Sequence, residues 1–182
     1  MKVRPARKSG EVVMEVNRRD EPLLAEATTA PFRLKTILVP VDFSDCAKKA
    51  LRYAIPFAEQ HQAEIVLLYV SPSSTYVGGE YGMIDVTALD ADLRVNGDKR
   101  LKNFATEEIP AKLAAQTVVR SGSPTTEIVD LAEKLPADVI VISTHGYSGL
   151  KHVLLGSVAE HVVRHAPCPV LVVREKEHEF LT

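Results

Sequence analysis

Apolar positions along the chain fall into short continuous runs, separated by stretches with helical spacing. Lys35-Thr36-Ile37-Leu38-Val39-Pro40-Val41 is a β-branched apolar run, the pattern of a strand buried on both faces of a parallel sheet. Ser44 follows as an N-cap, and Ala47, Ala50, Leu51, Ala54 and Ala58 recur at helical intervals. Pro56 removes a backbone donor and should kink or restart that helix. Residues 64–70 form a second buried run, and residues 71–85, with Pro72, Gly78, Gly79 and Gly82, read as a long loop of the functional or mobile kind. A helix is predicted over 87–108, with Leu89, Leu93, Leu101, Phe104 and Ile109 on one face and Pro110 closing it. Residues 116–120 are a third strand, and Ser123-Pro124 opens a helix that buries Ile128, Leu131, Ala132 and Leu135. Residues 137–143 make the fourth strand, 157–166 a short helix and 169–174 the fifth strand.

Strands alternating with helices in this way specify an α/β fold, a doubly wound five-stranded parallel sheet with helices on both faces. Ligands of such sheets bind at the carboxyl ends of the strands, near the point where strand order reverses. Asp42, Val70 and Ser143 are therefore the first positions to consider. Residues 1–31 break the pattern. They hold one short apolar cluster (Val12, Val13, Met14, Val16) and are expected to be a partly mobile N-terminal extension with a short edge strand or helix. The domain is expected over 32–175, with 176–182 as a C-terminal tail.

Composition narrows the function classes. A chain of 182 residues is long enough to bury roughly 70% of its unfolded surface around one core without a disulfide or metal staple. Hydrophobic residues at 46% and charged residues at 25% are ordinary for a globular protein. The net charge of -2 supplies no global basic field, so neither nucleic acid nor a membrane is expected as partner. With no Trp and 5% aromatic residues, base-stacking platforms lack raw material. No apolar stretch approaches the roughly 18 residues of a membrane span, and the basic start (Lys2, Arg4, Arg7, Lys8) has no apolar region behind it. Cys46 and Cys168 form no CxxC pair, which argues against a zinc or redox site and for a reducing cytoplasmic setting. The phosphate-loop GxxxxGK[ST], the GxGxxG fingerprint and the GxSxG elbow are all missing. No catalytic residue is assigned on this basis, and no metal site: His161 and His165 are four apart, but without a third ligand they read as an exposed helix face.

The segment 143–157 (Ser-Thr-His-Gly-Tyr-Ser-Gly-Leu-Lys-His-Val-Leu-Leu-Gly-Ser) joins the fourth strand to the last helix. Glycines leaving a strand, and a Gly-Ser pair opening a helix, free backbone amides for phosphate oxygens. Ser157 and Glu160 equally form a capping box that would satisfy the helix's own donors. Spacing alone leaves both readings standing. Asp42 likewise reads either as a ligand group or as part of the cap beside Ser44, and Tyr69 reads as a packing residue.

His145-Gly146, nine residues, Gly156-Ser157 and the stretch from Val158 to Arg174 resemble the C-terminal signature of the universal stress protein family. Ile37-Leu38-Val39-Pro40-Val41-Asp42-Phe43-Ser44 is similar to its first strand and turn, so the resemblance runs from Leu34 to Arg174. It implies a Rossmann-like fold of the adenine nucleotide alpha hydrolase kind. Members that bind ATP carry G-x2-G-x9-G-[S/T]; Gly146, Gly156 and Ser157 fit, but Ser143 stands at the first glycine. A Cβ there would crowd the nucleotide or cost a permissive backbone angle, weakening binding without abolishing it. By resemblance, Pro40, Val41 and Asp42 line the adenosine side and Val70 and Ile142 the base. Ser143, His145 and Gly146 line the phosphate loop, and Gly156, Ser157 and Val158 donate to phosphates. The resemblance thus implies a cytoplasmic stress-response regulator that binds ATP or a related adenine nucleotide, with Mg2+ accompanying it. It also implies a homodimer through Val170–Val173, and the lack of a positioned nucleophile leaves at most slow ATP hydrolysis; the sequence names no protein partner. The alternative is a dimeric interaction scaffold that has lost the nucleotide.

Overall fold

The computed structural model describes residues 2–5, 12–15, 33–71, 86–144 and 155–175. The chain divides into two compact units, residues 1–33 and 34–182. In the first unit β1 (Lys2–Pro5) and β2 (Val12–Glu15) pair antiparallel, Lys2 opposite Glu15 and Pro5 opposite Val12. Val12, Val13 and Met14 of the apolar cluster therefore belong to a strand of a two-stranded ladder, and Val16 lies outside the described residues.

The second unit runs β3 (Thr36–Pro40), α1 (Asp45–His61), β4 (Glu64–Ser71), α2 (Val86–Glu108), β5 (Ala115–Ser121), α3 (Pro124–Lys134), β6 (Val139–Ser143), α4 (Ser157–His165) and β7 (Val170–Val173). Its five strands form one parallel sheet in the order β5-β4-β3-β6-β7. Successive side chains of a strand point to opposite faces. Ile37, Val39, Ile65, Leu67 and Val141 accordingly pack with α1 and α2. Leu38, Val66, Leu68, Ile140 and Ile142 pack with α3 and α4 on the other face. Chain order passes outward from β3 through β4 to β5, then crosses to β6 on the far side of β3. The switch point lies between β3 and β6.

The helix restart expected at Pro56 and the buried position expected at Leu93 are corrected. Pro56 lies inside α1, and the helix neither stops nor restarts there. Pro56 and Arg52, whose carbonyl loses its donor, are both on the exposed side, while Ala54 and Ala58 stay buried. In α2, Leu101, Phe104 and the following Ile109 are buried, but Leu93 is 39% exposed. Residues 91–96 are all exposed, so among the described side chains of α2 the apolar face toward the sheet is in its carboxyl half. The side chain of Leu89 lies outside the described residues.

Among the described residues no helix is long and apolar enough to cross a membrane.

Candidate functional site

A cavity of about 360 Å³ opens at the carboxyl ends of β3, β4 and β6, within the size range of small-molecule sites. Hydrogen-bonding groups alternate sides along a parallel strand. Val41 N–H donates to the Leu68 carbonyl at 2.8 Å, toward β4, so position 40 faces β6, and proline has no N–H to give. The β3–β6 pairing ends at Leu38 opposite Ile140, whereas the β3–β4 register continues to Pro40 opposite Leu68. The sheet therefore parts on the β6 side just where the cavity begins.

Pro40, Val41, Asp42, Val70, Ile142, Ser143, Gly156, Ser157 and Val158 all line this cavity. His145 and Gly146 lie outside the described residues. Leu68, Tyr69, Pro124, Ile128, Thr144 and Ala159 also line it and were missed by sequence reasoning. A signal for two of them existed: in a parallel α/β sheet every helix begins at the strands' carboxyl end. Pro124 opens α3 and Ile128 sits one turn in.

Both readings of Asp42 meet in one geometry. Its Oδ1 accepts from the Ser44 N–H at 3.1 Å and from Ser44 Oγ at 2.6 Å, and Ser44 Oγ accepts from the Ala47 N–H at 3.2 Å to cap α1. Asp42 thus orients the cap while lining the cavity. Between them Phe43 has φ 66°, a left-handed conformation that a bulky residue seldom adopts.

The capping box at α4 does not form. Gly156 is the N-cap, with no side-chain cap bond, and Glu160 pairs instead with Arg164 at 2.8 Å. Ser157 is the first helical residue and is exposed. The start of α4 is thus not covered by its own side chains, which favours the anion-binding reading of the segment. Gly156 N–H donates to the Thr144 carbonyl at 2.8 Å, and a Cβ on Gly156 would lie 2.6 Å from that same oxygen. Only glycine brings α4 this close to the end of β6.

Ser143 is the last residue of β6, in register with Val173, and is not among the residues with positive φ. The concern that serine costs a permissive backbone angle is therefore corrected; crowding by its Cβ is the effect that remains. His161 and His165 stack with ring centroids 4.2 Å apart, and His165 Nδ1 lies 2.9 Å from the His161 carbonyl. Tyr69 packs on Phe43 at 4.8 Å while also lining the cavity. Burial pushes the Cys46 thiol above its ordinary value, and the carboxylates of Glu175, Asp42 and Asp45 add to this.

The cavity combines apolar walls from Val41, Val70, Ile128 and Ile142, the Asp42 carboxylate, the hydroxyl-bearing residues Tyr69, Ser143, Thr144 and Ser157, and a glycine-capped helix start. Such a set can hold a flat apolar ring at one end and an anion at the other. Among the described residues no group of three or more His, Cys, Asp or Glu converges to hold a metal ion.

The sequence model of the universal stress protein family matches residues 33–174. Universal stress protein MJ0531 of Methanocaldococcus jannaschii is 39% identical over 151 residues, covering 80% of this chain and 85% of that one. The solved structure of protein MJ0577, a universal stress protein of the same organism, is 31% identical with a TM-score of 0.70, covering 81% of this chain and all of the other. Two more distant structures share the fold: a universal stress protein in complex with cAMP (22% identical, TM-score 0.54) and one from Arabidopsis thaliana with AMP bound (20%, 0.51). They cover 80% and 78% of this chain, and 100% and 92% of theirs.

Proposed function

The chain belongs to the universal stress protein family, and we propose that it is a stress-response regulator that binds ATP or a related adenine nucleotide in the cavity at the strand ends. The observation that carries this reading is the convergence of Asp42, an apolar crevice and the glycine-capped start of α4 on one cavity. The base would lie among Val41, Val70 and Ile142, and Asp42 would accept a ribose or base hydrogen bond. Ser143, Gly156, Ser157 and Val158, with His145 and Gly146 of the intervening segment, would meet the phosphates. Backbone donors and the helix dipole need little lysine or arginine, which suits a net charge of -2. The fold shared with proteins that hold cAMP and AMP supports the ligand class. Mg2+ would arrive on the phosphates. We assign no catalytic residue, and any ATP hydrolysis is slow. The protein acts in the cytoplasm as a homodimer through β7, which lies at an edge of the sheet.

The test is extraction of co-purified nucleotide, followed by calorimetric titration with ATP and AMP. Saturable binding is expected, and the absence of any at millimolar ligand would leave the dimeric interaction scaffold instead. Ser143→Gly refines the result: a gain in affinity over the parent would identify Cβ crowding as the weakening effect.

A further inference from the structure

We propose that Arg100 and Gly97 of α2 are positioning residues for the pocket, acting through the rings of Phe43 and Tyr69 on the turn that carries Asp42. This inference rests on the adenine-nucleotide reading of the cavity. Phe43 is the left-handed residue directly after Asp42, and a conformation of that kind persists only when its surroundings hold it. Its ring lies 4.8 Å from that of Tyr69 and 5.7 Å, edge to face, from that of Phe104. The Arg100 guanidinium sits 4.0 Å from its centroid, within cation–π range. Gly97 acts on the second ring: a Cβ there would fall 2.9 Å and 3.0 Å from Tyr69 Cε1 and Cδ1. Gly97, Arg100 and Phe104 follow helical spacing and share one face of α2. That face presses both on the strained neighbour of Asp42 and on a tyrosine of the cavity wall, although none of the three lines the cavity.

The experiment titrates AMP into the full chain and into Arg100→Ala, Arg100→Lys and Gly97→Ala. In parallel, 19F spectra follow protein labelled with 4-fluorophenylalanine at its five Phe positions, the Phe43 resonance being the one lost in Phe43→Leu. Arg100→Ala should weaken AMP binding about threefold to tenfold, and Arg100→Lys, which keeps the cation, should restore it to within about twofold. Gly97→Ala should weaken it about as much, even though alanine is the better helix former. The Phe43 resonance of the parent should shift on AMP addition. Arg100→Ala and Gly97→Ala binding AMP like the parent, with the Phe43 resonance unmoved, overturns the positioning role while the nucleotide reading survives. A parent that binds no adenine nucleotide overturns both. Should Gly97→Ala fail to fold, the exposed Arg100 pair decides.

Discussion

A methyl group at Gly156 has no room, because the Thr144 carbonyl oxygen would be 2.6 Å away. The contact joins the end of β6 to the start of α4, so relief must come from moving one of them. Gly156→Ala should destabilise the protein by about 1–3 kcal/mol, the range for forced overpacking, and weaken nucleotide binding by displacing the first turn of α4. Denaturant unfolding and calorimetry check the two effects, and a variant equal to the parent in both would refute the close-docking account. The neighbouring Ser143 shows where sequence reading stops. The spacing of glycines was legible, but the backbone angle at position 143 depends on where β6 ends, and that is fixed by pairing with Val173. The thiols offer a separate check at this scale. Cys168 is raised above its ordinary value by burial and by the nearby Asp138 carboxylate, as Cys46 is by burial and its acidic neighbours. Fewer thiolates form at pH 8, so iodoacetamide should label both more slowly in the folded chain than in urea. Equal rates in the two conditions would contradict this.

At the scale of elements, strands and helices were both legible, but the side-chain partners at a helix end were not. A strand buried on both faces is a continuous apolar run, visible in one line of sequence. A helix end depends on which polar side chain finds which donor. Glu160 had both a capping partner and Arg164 within reach by spacing, and it pairs with Arg164. The exposure of Leu93 likewise depends on how far the sheet extends beneath α2, a tertiary fact. Ion pairs link β5 to α3: Arg120 reaches Glu127 at 3.2 Å and also Asp130, and Lys134 bonds Asp130 at 2.8 Å. Hydrogen bonds from Lys134 and then Arg120 hold the Asp130 carboxyl below its ordinary value. A carboxyl depressed in the folded state favours folding above its unfolded pKa of about 4, and that contribution disappears as pH falls through the lower, folded value. Asp130→Asn should therefore lower stability at pH 7 and reduce its decline between neutral and acid pH. Urea melts at pH 7 and pH 3 measure the difference, and a parallel loss at both pH values would show that Asp130 is not an acid-labile contact.

Across the whole molecule, the reversal of strand order next to β3 creates the cavity and leaves two edges, β5 and β7. The alternation of strands and helices was legible, but the order β5-β4-β3-β6-β7 was not, since it is set by pairings between distant segments. The β7 edge carries the last prediction. Pro169 and Val173 accept β6 amides with their carbonyls, Ile140 N–H donating to Pro169 and Thr144 N–H to Val173. Groups alternate sides along the strand, so the N–H groups of Leu171 and Val173 face β6, and those of Val170 and Val172 face outward. Among the described residues no strand pairs with these groups, and an apolar edge of this kind needs a cover or a partner. If a second copy pairs along it, the outward donors are the bonds it uses. Val172→Pro deletes one of them without touching the β6–β7 ladder, a substitution that edge strands tolerate. Light scattering at micromolar concentration should find a dimer for the parent and a shift to monomer for Val172→Pro, with the circular dichroism of the folded domain retained. A parent that is already monomeric, or a variant that stays dimeric, would exclude this edge as the dimer contact.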